Sequence, residues 1–349
     1  MRNGKLQVGL VGAGGIGHDQ HLPGWVNVPF AEVMAVADLS EAAITKACER
    51  FLIGRHFHDW HELVALPDVD VVDICTPNRT HTAIALAALQ SGKHVLCEKP
   101  LATSSAEVRA LADAAQQAGK LIMTAQHMRF DPVSQQFKHF LDAGVFGDIY
   151  YARAQWLRRR LLPPRATFVD RHLSGGGVAF DLGVHVLDLV TWFMGCPQPV
   201  SVSALVGMKL ADRPDLSGAW GDWDHHKIDV DDFAAAFVRF ANGAALTVEV
   251  SWLAFQPERE FTRLQCYGTR AGGVWPDGVI VGETNRIPWD LHVAKAPKTS
   301  PHHEEIYQFA VAIRDGLPSP IPVEDSFNVI RILEAFYESS KTGREVAVK

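Results

Sequence analysis

The stretch "LQVGLVGAGGIG", Leu6 to Gly17, decides how the first third of the chain folds. An apolar run leads into Gly12, Gly14 and Gly17, which have the GxGxxG spacing typical of dinucleotide-binding loops. There the first glycine permits a tight turn, the second admits a pyrophosphate, and the third allows close helix–strand packing. The pattern is weak on its own, but here it follows an apolar strand and precedes a plausible helix.

An acidic residue follows at the expected distance from this loop. Asp38 ends the next apolar run, and Leu39 and Ser40 come after it without a basic neighbour. A carboxylate there would bind both ribose hydroxyls and repel a 2′-phosphate, so the sequence predicts NAD rather than NADP. A plain glycine turn with a helix-capping aspartate is the alternative. The cofactor-binding residues predicted around the loop are Gly12, Gly14, Gly15, Ile16, Gly17 and Asp38.

The rhythm of the chain predicts two domains. Up to about Gln126, apolar strands alternate with helical patterns, which is typical of a doubly wound parallel sheet, a Rossmann domain. Beyond it, strand-like runs follow one another without helices between them, and Asn242–Gly243 is a hairpin turn signal. We therefore predict an α/β domain over residues 1–126 and an α+β domain with a large, open, mostly antiparallel sheet over 127–349.

Composition excludes several classes of protein. A formal charge of −7 over 349 residues argues against nucleic-acid binding, and we see no apolar run of the ~18 residues that suggest a membrane span. The five cysteines are odd in number and scattered, which favours a reducing compartment and argues against a thiolate metal site. We expect a cytoplasmic location.

Two further loops follow predicted strand ends, where open α/β sheets bind their ligands. Lys99, beside Pro100 at the end of a buried strand, is an unusual place for a solvated lysine and would project towards the nicotinamide. His81 starts a helix in the other loop and could equally be a structural residue. The cofactor-binding residues predicted at this edge are Thr76, Pro77, Asn78, His81, Glu98, Lys99 and Gln126.

The stretch "GGGVAFDLGVHVLDL", Gly175 to Leu189, carries the remaining candidate groups. If it is helical, Asp181 and His185 at i and i+4 share one face. The glycine run would let the chain pass close to a ligand. Alone, a helix-capping aspartate and a core histidine would be the simpler interpretation, and Asp188 could bond to the ring or be structural.

These motifs together resemble the Gfo/Idh/MocA family, the glucose–fructose oxidoreductase and inositol dehydrogenase group. The resemblance rests on "GLVGAGGIG", "TPNRTH", "EKPLA" and "GGGVAFDLGVHVLDL" in this order, and on the closing helix, so it covers almost the whole chain. It implies that Lys99, Asp181 and His185 act on the substrate. It also implies a homodimer or homotetramer formed through the C-terminal sheet, and no metal.

Oxidation of a secondary alcohol needs a base for the hydroxyl proton and a cation for the developing alkoxide. We assign His185 as base, Lys99 as stabiliser and Asp181 as the group that orients the substrate, although His185 and Lys99 could exchange roles. Predicted substrate-binding residues are Lys99, Arg129, Trp156, Arg158, Asp181 and His185, with Arg159 and Arg160 as weaker candidates. Arginines could also bind a sugar phosphate.

The sequence thus predicts an NAD-dependent dehydrogenase for a cyclic sugar, glycoside or inositol. Arginine-rich loops also occur in the family's glucoside and levoglucosan dehydrogenases, although the loop here differs from theirs. The alternatives are a glycosidase that retains NAD and oxidises transiently, and a non-catalytic NAD-binding regulator. "HFHDWHE" (His56 to Glu62) and "HHEE" (His302 to Glu305) lack convincing metal-ligand spacing, and we predict no metal site.

Overall fold

The computed structural model describes residues 4–294 and 299–349, which form fifteen strands and eleven α-helices. The strands are β1 (Leu6–Val11), β2 (Ala31–Ala37), β3 (Arg55–Phe57), β4 (Val71–Ile74), β5 (His94–Glu98), β6 (Ile122–Ala125), β7 (Ile149–Arg158), β8 (Pro199–Gly207), β9 (Phe233–Phe240), β10 (Ala245–Ser251), β11 (Glu260–Gly268), β12 (Ala271–Trp275), β13 (Val279–Thr284), β14 (Ile287–His292) and β15 (Val346–Ala347). The helices are α1 (Leu22–Val26), α2 (Glu41–Phe51), α3 (Trp60–Val64), α4 (Asn78–Gln90), α5 (Ser105–Ala118), α6 (Pro132–Asp142), α7 (Ala166–Val169), α8 (Arg171–Ser174), α9 (Val184–Phe193), α10 (Pro301–Asp315) and α11 (Val323–Thr342).

Six parallel strands form the first sheet, in the order β3-β2-β1-β4-β5-β6. Strands β1 and β4 are buried along their whole length, as expected when helices cover both faces of a sheet. The order reverses between β1 and β4, which is the topological switch point where doubly wound sheets bind dinucleotides. The predicted Rossmann architecture is confirmed.

The chain divides into two units that differ from the predicted domains. Unit 1 comprises Met1–Phe130 and Thr299–Phe327, and unit 2 comprises Asp131–Lys298 and Asn328–Lys349. Segment 299–327 belongs to unit 1 because Ile306 and Phe309 of α10 share a buried apolar cluster with Leu6 and Trp25. A single continuous C-terminal domain over 127–349 is therefore not what the structure shows.

Unit 2 contains a mixed nine-stranded sheet in the order β14-β13-β12-β11-β7-β10-β9-β8-β15. The β7–β10 pair is parallel and the other pairs are antiparallel, so the predicted α+β class with a large, mostly antiparallel sheet is confirmed. Asn242–Gly243 forms the turn between β9 and β10, with Gly243 at a φ of 85°. Strands β12 to β14 extend the sheet further than the sequence indicated.

Two helical stretches contain a π-helical turn, at Gly17–His21 before α1 and at Ala179–Gly183 before α9. Such turns are rare and often occur at functional sites.

Residues 171–193, taken together, are long and apolar enough to cross a membrane by length and composition, but 83% of their most apolar window is buried. That burial is what a core helix shows, so this stretch is weak evidence for a membrane span.

Candidate active site

The glycine loop of unit 1 has the geometry that a dinucleotide requires. A Cβ on Gly12, whose φ is +98°, would lie 2.6 Å from the backbone carbon of Cys75, and one on Gly17 would lie 2.2 Å from the carbonyl oxygen of Gly12. By contrast, a Cβ on Gly14 would meet no atom within 4 Å. Packing within the protein therefore requires glycine at positions 12 and 17. The space beside Gly14 is open, of the kind that a pyrophosphate would fill.

Asp38 links the end of β2 to this loop. Its Oδ2 accepts a hydrogen bond from the Ala13 N–H at 2.7 Å, and its Oδ1 accepts one from the Ser40 N–H at 2.8 Å. A carboxylate oxygen has more than one acceptor position, so ribose hydroxyls can still bind there. The loop, the switch point and this aspartate together fit NAD.

His81 has a different place from the predicted cofactor contact. It is completely buried in the first turn of α4, and its ring nitrogens lie 2.7 Å from the carbonyl oxygen of Pro100 and 2.8 Å from that of Thr76. Both nitrogens are therefore committed to backbone groups. His81 ties the Thr76–Asn78 loop to the turn that carries Lys99, and a direct contact with the cofactor is not supported.

Lys99 follows β5 directly, next to a buried ionic cluster formed by His21, Asp73 and Glu98. Nδ1 of His21 lies 2.9 Å from Oδ2 of Asp73, and its Nε2 lies 3.1 Å from Oε1 of Glu98. Burial disfavours the charged imidazole, but the neighbouring Asp73 raises the pKa of His21 well above its usual value. Burial likewise opposes ionisation of Glu98, yet the hydrogen bond from His21 lowers its pKa to about 2.

Two predicted ligand residues near the end of β6 are buried in unit 1. Gln126 is only 2% exposed. Arg129 is 3% exposed, and its Nη1 lies 2.8 Å from Oδ2 of Asp325. This buried ion pair commits the guanidinium to Asp325, because separating the pair would leave a charge uncompensated. The prediction that Arg129 binds substrate is therefore not supported.

In unit 2, Asp181 lies within the π-helical turn and His185 in the first turn of α9. Oδ2 of Asp181 accepts a hydrogen bond from Nε1 of Trp252 at 3.0 Å, and Nη1 of Arg158 lies 3.9 Å away. The His185 ring is 5.9 Å from that of Trp156, centroid to centroid. The predicted helix is present, and a π turn forms the part of it that carries Asp181.

Arg158 lies at the centre of an aromatic and acidic cluster. Its guanidinium carbon is 5.0 Å from the ring centroids of both Trp156 and Trp220. Its Nε and Nε1 of Trp156 each donate to Oε1 of Glu260 at 2.7 Å. Burial opposes ionisation of Glu260, but the hydrogen bonds from Arg158 and Trp156 outweigh it and lower the pKa of this carboxyl. Predicted ligands Trp156 and Arg158 thus lie with Asp181, while Glu260 and Trp252 were missed.

The other two loop arginines have different surroundings. Arg160 donates through Nε to the carbonyl oxygen of Ser217 and through Nη2 to its hydroxyl, at 3.1 and 2.7 Å. The backbone N–H of Arg159 donates to the carbonyl oxygen of Arg259 at 2.9 Å, and its side chain is exposed. Arg160 therefore holds the loop around Ser217.

Asp231 anchors the start of the site helix, and the sequence did not identify it individually. Its carboxylate accepts hydrogen bonds from the N–H groups of Gly177 and Ala179 at 2.9 and 3.0 Å, and from the Tyr337 hydroxyl at 2.6 Å. A Cβ on Gly177 would lie 1.9 Å from the carbonyl oxygen of Asp231. Close approach of the protein's own backbone thus explains the glycine at position 177.

One histidine from each metal-like motif pairs with a single other residue. Nδ1 of His61 lies 2.6 Å from Oδ1 of Asp59, and the rings of His302 and His127 are stacked 4.0 Å apart. Among the described residues, His21, Asp73 and Cys75 are close enough to share a metal ion. Burial raises the pKa of the Cys75 thiol, so converting this group into ligands would require unfavourable deprotonation.

Family models match each of the two units separately. Residues 6–126 match a family model described as "Oxidoreductase family, NAD-binding Rossmann fold", and residues 134–273 match the "GFO/IDH/MocA C-terminal domain". The first unit therefore contains an NAD-binding Rossmann domain, as predicted.

Relatives and solved structures extend the likeness over the full chain. D-glucoside 3-dehydrogenase of Escherichia coli is 28% identical over 99% of this chain and 98% of its own length. Levoglucosan dehydrogenase of Pseudarthrobacter phenanthrenivorans is 32% identical over 71% of this chain and 67% of its own. A structure of levoglucosan dehydrogenase with NADH and levoglucosan, 25% identical, covers 99% of both chains with a TM-score of 0.85.

Proposed function

Because the chain belongs to the Gfo/Idh/MocA family of NAD-dependent oxidoreductases, we propose that it oxidises a secondary hydroxyl of a cyclic sugar, glycoside or inositol. One observation carries the choice of substrate: Asp181, Arg158 and Glu260 lie together among the indoles of Trp156, Trp220 and Trp252. Carboxylates and a guanidinium bind hydroxyl groups, while indole rings offer an apolar face to C–H groups. This combination suits a carbohydrate ring.

Charge balance in this cluster favours a neutral ligand. Arg158 is already paired with Glu260, and Asp181 supplies a further negative charge nearby. A phosphate would have to compete with both carboxylates for the guanidinium. We therefore favour an uncharged sugar or polyol over a sugar phosphate.

In the proposed reaction, bound NAD supplies the hydride acceptor. His185 takes the proton of the reacting hydroxyl, and Lys99 stabilises the alkoxide that develops on the oxygen. Asp181, held by the Trp252 indole, orients the substrate through its hydroxyls. The roles of His185 and Lys99 can be exchanged without changing the overall reaction.

The names of the relatives support this substrate class. The similar proteins include dehydrogenases named for D-glucosides, levoglucosan and myo-inositol, each a ring compound with secondary hydroxyls. Identities of 25–32% leave the particular sugar and carbon open. The proposal therefore extends to the class of substrate and no further.

Reduced cofactor is the product that tests the proposal. Incubation of the protein with NAD and a panel of glycosides, anhydrosugars and inositols should produce NADH with at least one substrate. Lys99→Met and His185→Gln should each lower kcat by at least about 100-fold, within the range for loss of acid–base catalysis. Lys46→Met, on the exposed surface of α2, is the matched control and should retain activity.

Two outcomes would contradict the proposal. Hydrolysis of a glycoside without accumulation of NADH would indicate the NAD-retaining glycosidase. NAD binding without turnover of any substrate, in a panel that includes sugar phosphates, would indicate a regulator.

We further propose that the protein is cytoplasmic and forms a homodimer or homotetramer through the open face of its nine-stranded sheet. Leu205, Tyr267 and Val281 share one face by strand register and are 36–51% exposed, whereas the opposite face is buried. Large exposed apolar side chains on an open sheet face favour association there. Light scattering should give a mass of two or four chains, and Leu205→Glu should lower it; a monomeric wild-type protein would contradict this proposal.

A further inference from the structure

A buried chain of hydrogen bonds connects three separate elements behind Lys99. His21 ends the first π-helical turn, Asp73 lies in β4, and Glu98 ends β5. His21 and Asp73 are fully buried, and Glu98 is 8% exposed. Nε1 of Trp25 also donates to Oδ2 of Asp73 at 2.7 Å. These residues are far apart in sequence, and no motif in the sequence analysis joined them.

Both nitrogens of the His21 ring face a carboxylate oxygen. An ionised carboxylate can only accept hydrogen bonds, so between two ionised carboxylates the ring donates through both nitrogens and carries a positive charge. Asp73 and Glu98 flank this charge on opposite sides, which satisfies two buried anions with one buried cation. The arrangement fixes the plane of the imidazole and, through it, the position of Glu98.

Glu98 passes this constraint to the backbone of Lys99. Its Oε1 accepts from His21, while its Oε2 accepts from the Lys99 N–H at 2.9 Å. On the other side of Lys99, the carbonyl oxygen of Pro100 bonds to His81. The peptide group before Lys99 and the one after Pro100 are therefore both held by buried side chains.

We propose that His21 is a positioning residue for Lys99, which acts through Glu98 to hold the backbone from which the lysine side chain projects. The part of this inference that concerns turnover rests on the proposed function. The structural part, control of the Lys99 backbone by His21, stands independently of any substrate.

The test uses His21→Gln, whose amide cannot donate to both carboxylates as the imidazolium does. Amide hydrogen exchange at Lys99 should accelerate at least about tenfold, because its acceptor is no longer fixed. The kcat should fall by about 10–100-fold, as expected for a small misplacement of a reacting group, while KM for NAD changes by less than about twofold. His94→Gln, at the opposite end of β5, is the matched control and should change neither the amide exchange of Lys99 nor kcat.

Two variants of Glu98 separate positioning from charge and guard against a His21 variant that fails to fold. Glu98→Gln keeps an oxygen that can accept from the Lys99 N–H but removes the negative charge, so amide exchange at Lys99 should accelerate less than in Glu98→Ala. Glu98→Ala removes the acceptor and should reproduce the His21→Gln effects.

Equal acceleration of Lys99 exchange in both Glu98 variants, or unchanged Lys99 exchange in His21→Gln and Glu98→Ala, would overturn the proposal. A stoichiometric metal ion bound to His21 would also overturn it, because the metal would replace the ring proton that bonds to Asp73. If the wild-type protein oxidises no sugar, the proposed function fails, while the exchange measurements still decide whether His21 positions Lys99.

Discussion

The two regions that carry the candidate catalytic groups are held in place by different physical means. In unit 1, Lys99 follows a buried strand and is fixed by a charged cluster, Asp73–His21–Glu98. In unit 2, the helix with Asp181 and His185 begins at a glycine run whose backbone N–H groups bond to Asp231. In the first region a buried cation between two anions fixes the structure. In the second, one carboxylate accepts the hydrogen bonds of backbone N–H groups at the start of the helix.

Similar local features in the two regions have different origins. Each region has a π-helical turn, Gly17–His21 in unit 1 and Ala179–Gly183 in unit 2. Each also has a glycine that closely approaches a backbone oxygen. For Gly17 that oxygen belongs to Gly12, in the same loop. For Gly177 it belongs to Asp231, which is distant in the sequence. A short motif can therefore describe the first contact, but not the second.

Substitution of Gly177 should have the largest effect on stability. Gly177→Ala would place a Cβ 1.9 Å from the Asp231 carbonyl oxygen, so the backbone must move. We expect a loss of about 3 kcal/mol, at the upper end of typical overpacking effects, measured by urea unfolding. Gly14→Ala is the control in unit 1: its Cβ meets no atom, so stability should change by less than about 1 kcal/mol while NAD binding weakens. Equal stability of the two variants would contradict the distinction.

Removal of the Tyr337 hydroxyl should have an intermediate effect. It donates to Asp231 at 2.6 Å, and hydrogen bonds to charged groups contribute about 1.5–3 kcal/mol. Tyr337→Phe should lower the free energy of unfolding by about 1.5 kcal/mol. Tyr307→Phe, on a ring that is 38% exposed in unit 1, should leave it almost unchanged. A neutral Tyr337→Phe variant would show that the Asp231 anchor does not depend on this bond.

Acid should lower the stability of unit 1 because it protonates His302. Burial, together with the neighbouring His127, lowers the pKa of His302 to about 3 from 6.5. The unfolded chain then binds a proton at a higher pH than the folded chain, so stability falls as the pH drops from about 6.5 towards 3. His302→Gln should reduce the loss between pH 7 and pH 5 by about 1–2 kcal/mol. The exposed His226→Gln should not, and a parallel pH dependence in both variants would contradict the assignment.

The sequence predicted the groups that lie in contiguous motifs and missed those that support them. Gly12, Asp38 and the Asp181–His185 helix follow from local spacing, because turn and helix geometry depend on neighbouring residues. Glu260 and Trp252 reach the site only through the pairing of β11 with β7 and of β10 with β7. Such register cannot be derived from one strand alone.

The same dependence on distant residues applies to two of the predicted ligand residues. Arg129 and His81 lie at the expected ends of their elements, but whether a polar side chain faces a ligand or the interior depends on distant partners. For Arg129 the partner is Asp325, and for His81 it is Pro100. The assignment of 299–327 to unit 1 also depends on packing between segments almost three hundred residues apart.

The proposed mechanism requires Lys99 and His185 to act on the same substrate hydroxyl. A crystal structure with NADH and a turned-over sugar measures this most directly. We predict that Nζ of Lys99 and one ring nitrogen of His185 both lie within hydrogen-bond distance of one sugar oxygen, with its carbon facing the nicotinamide. A complex in which either group is turned away from that oxygen would contradict the account.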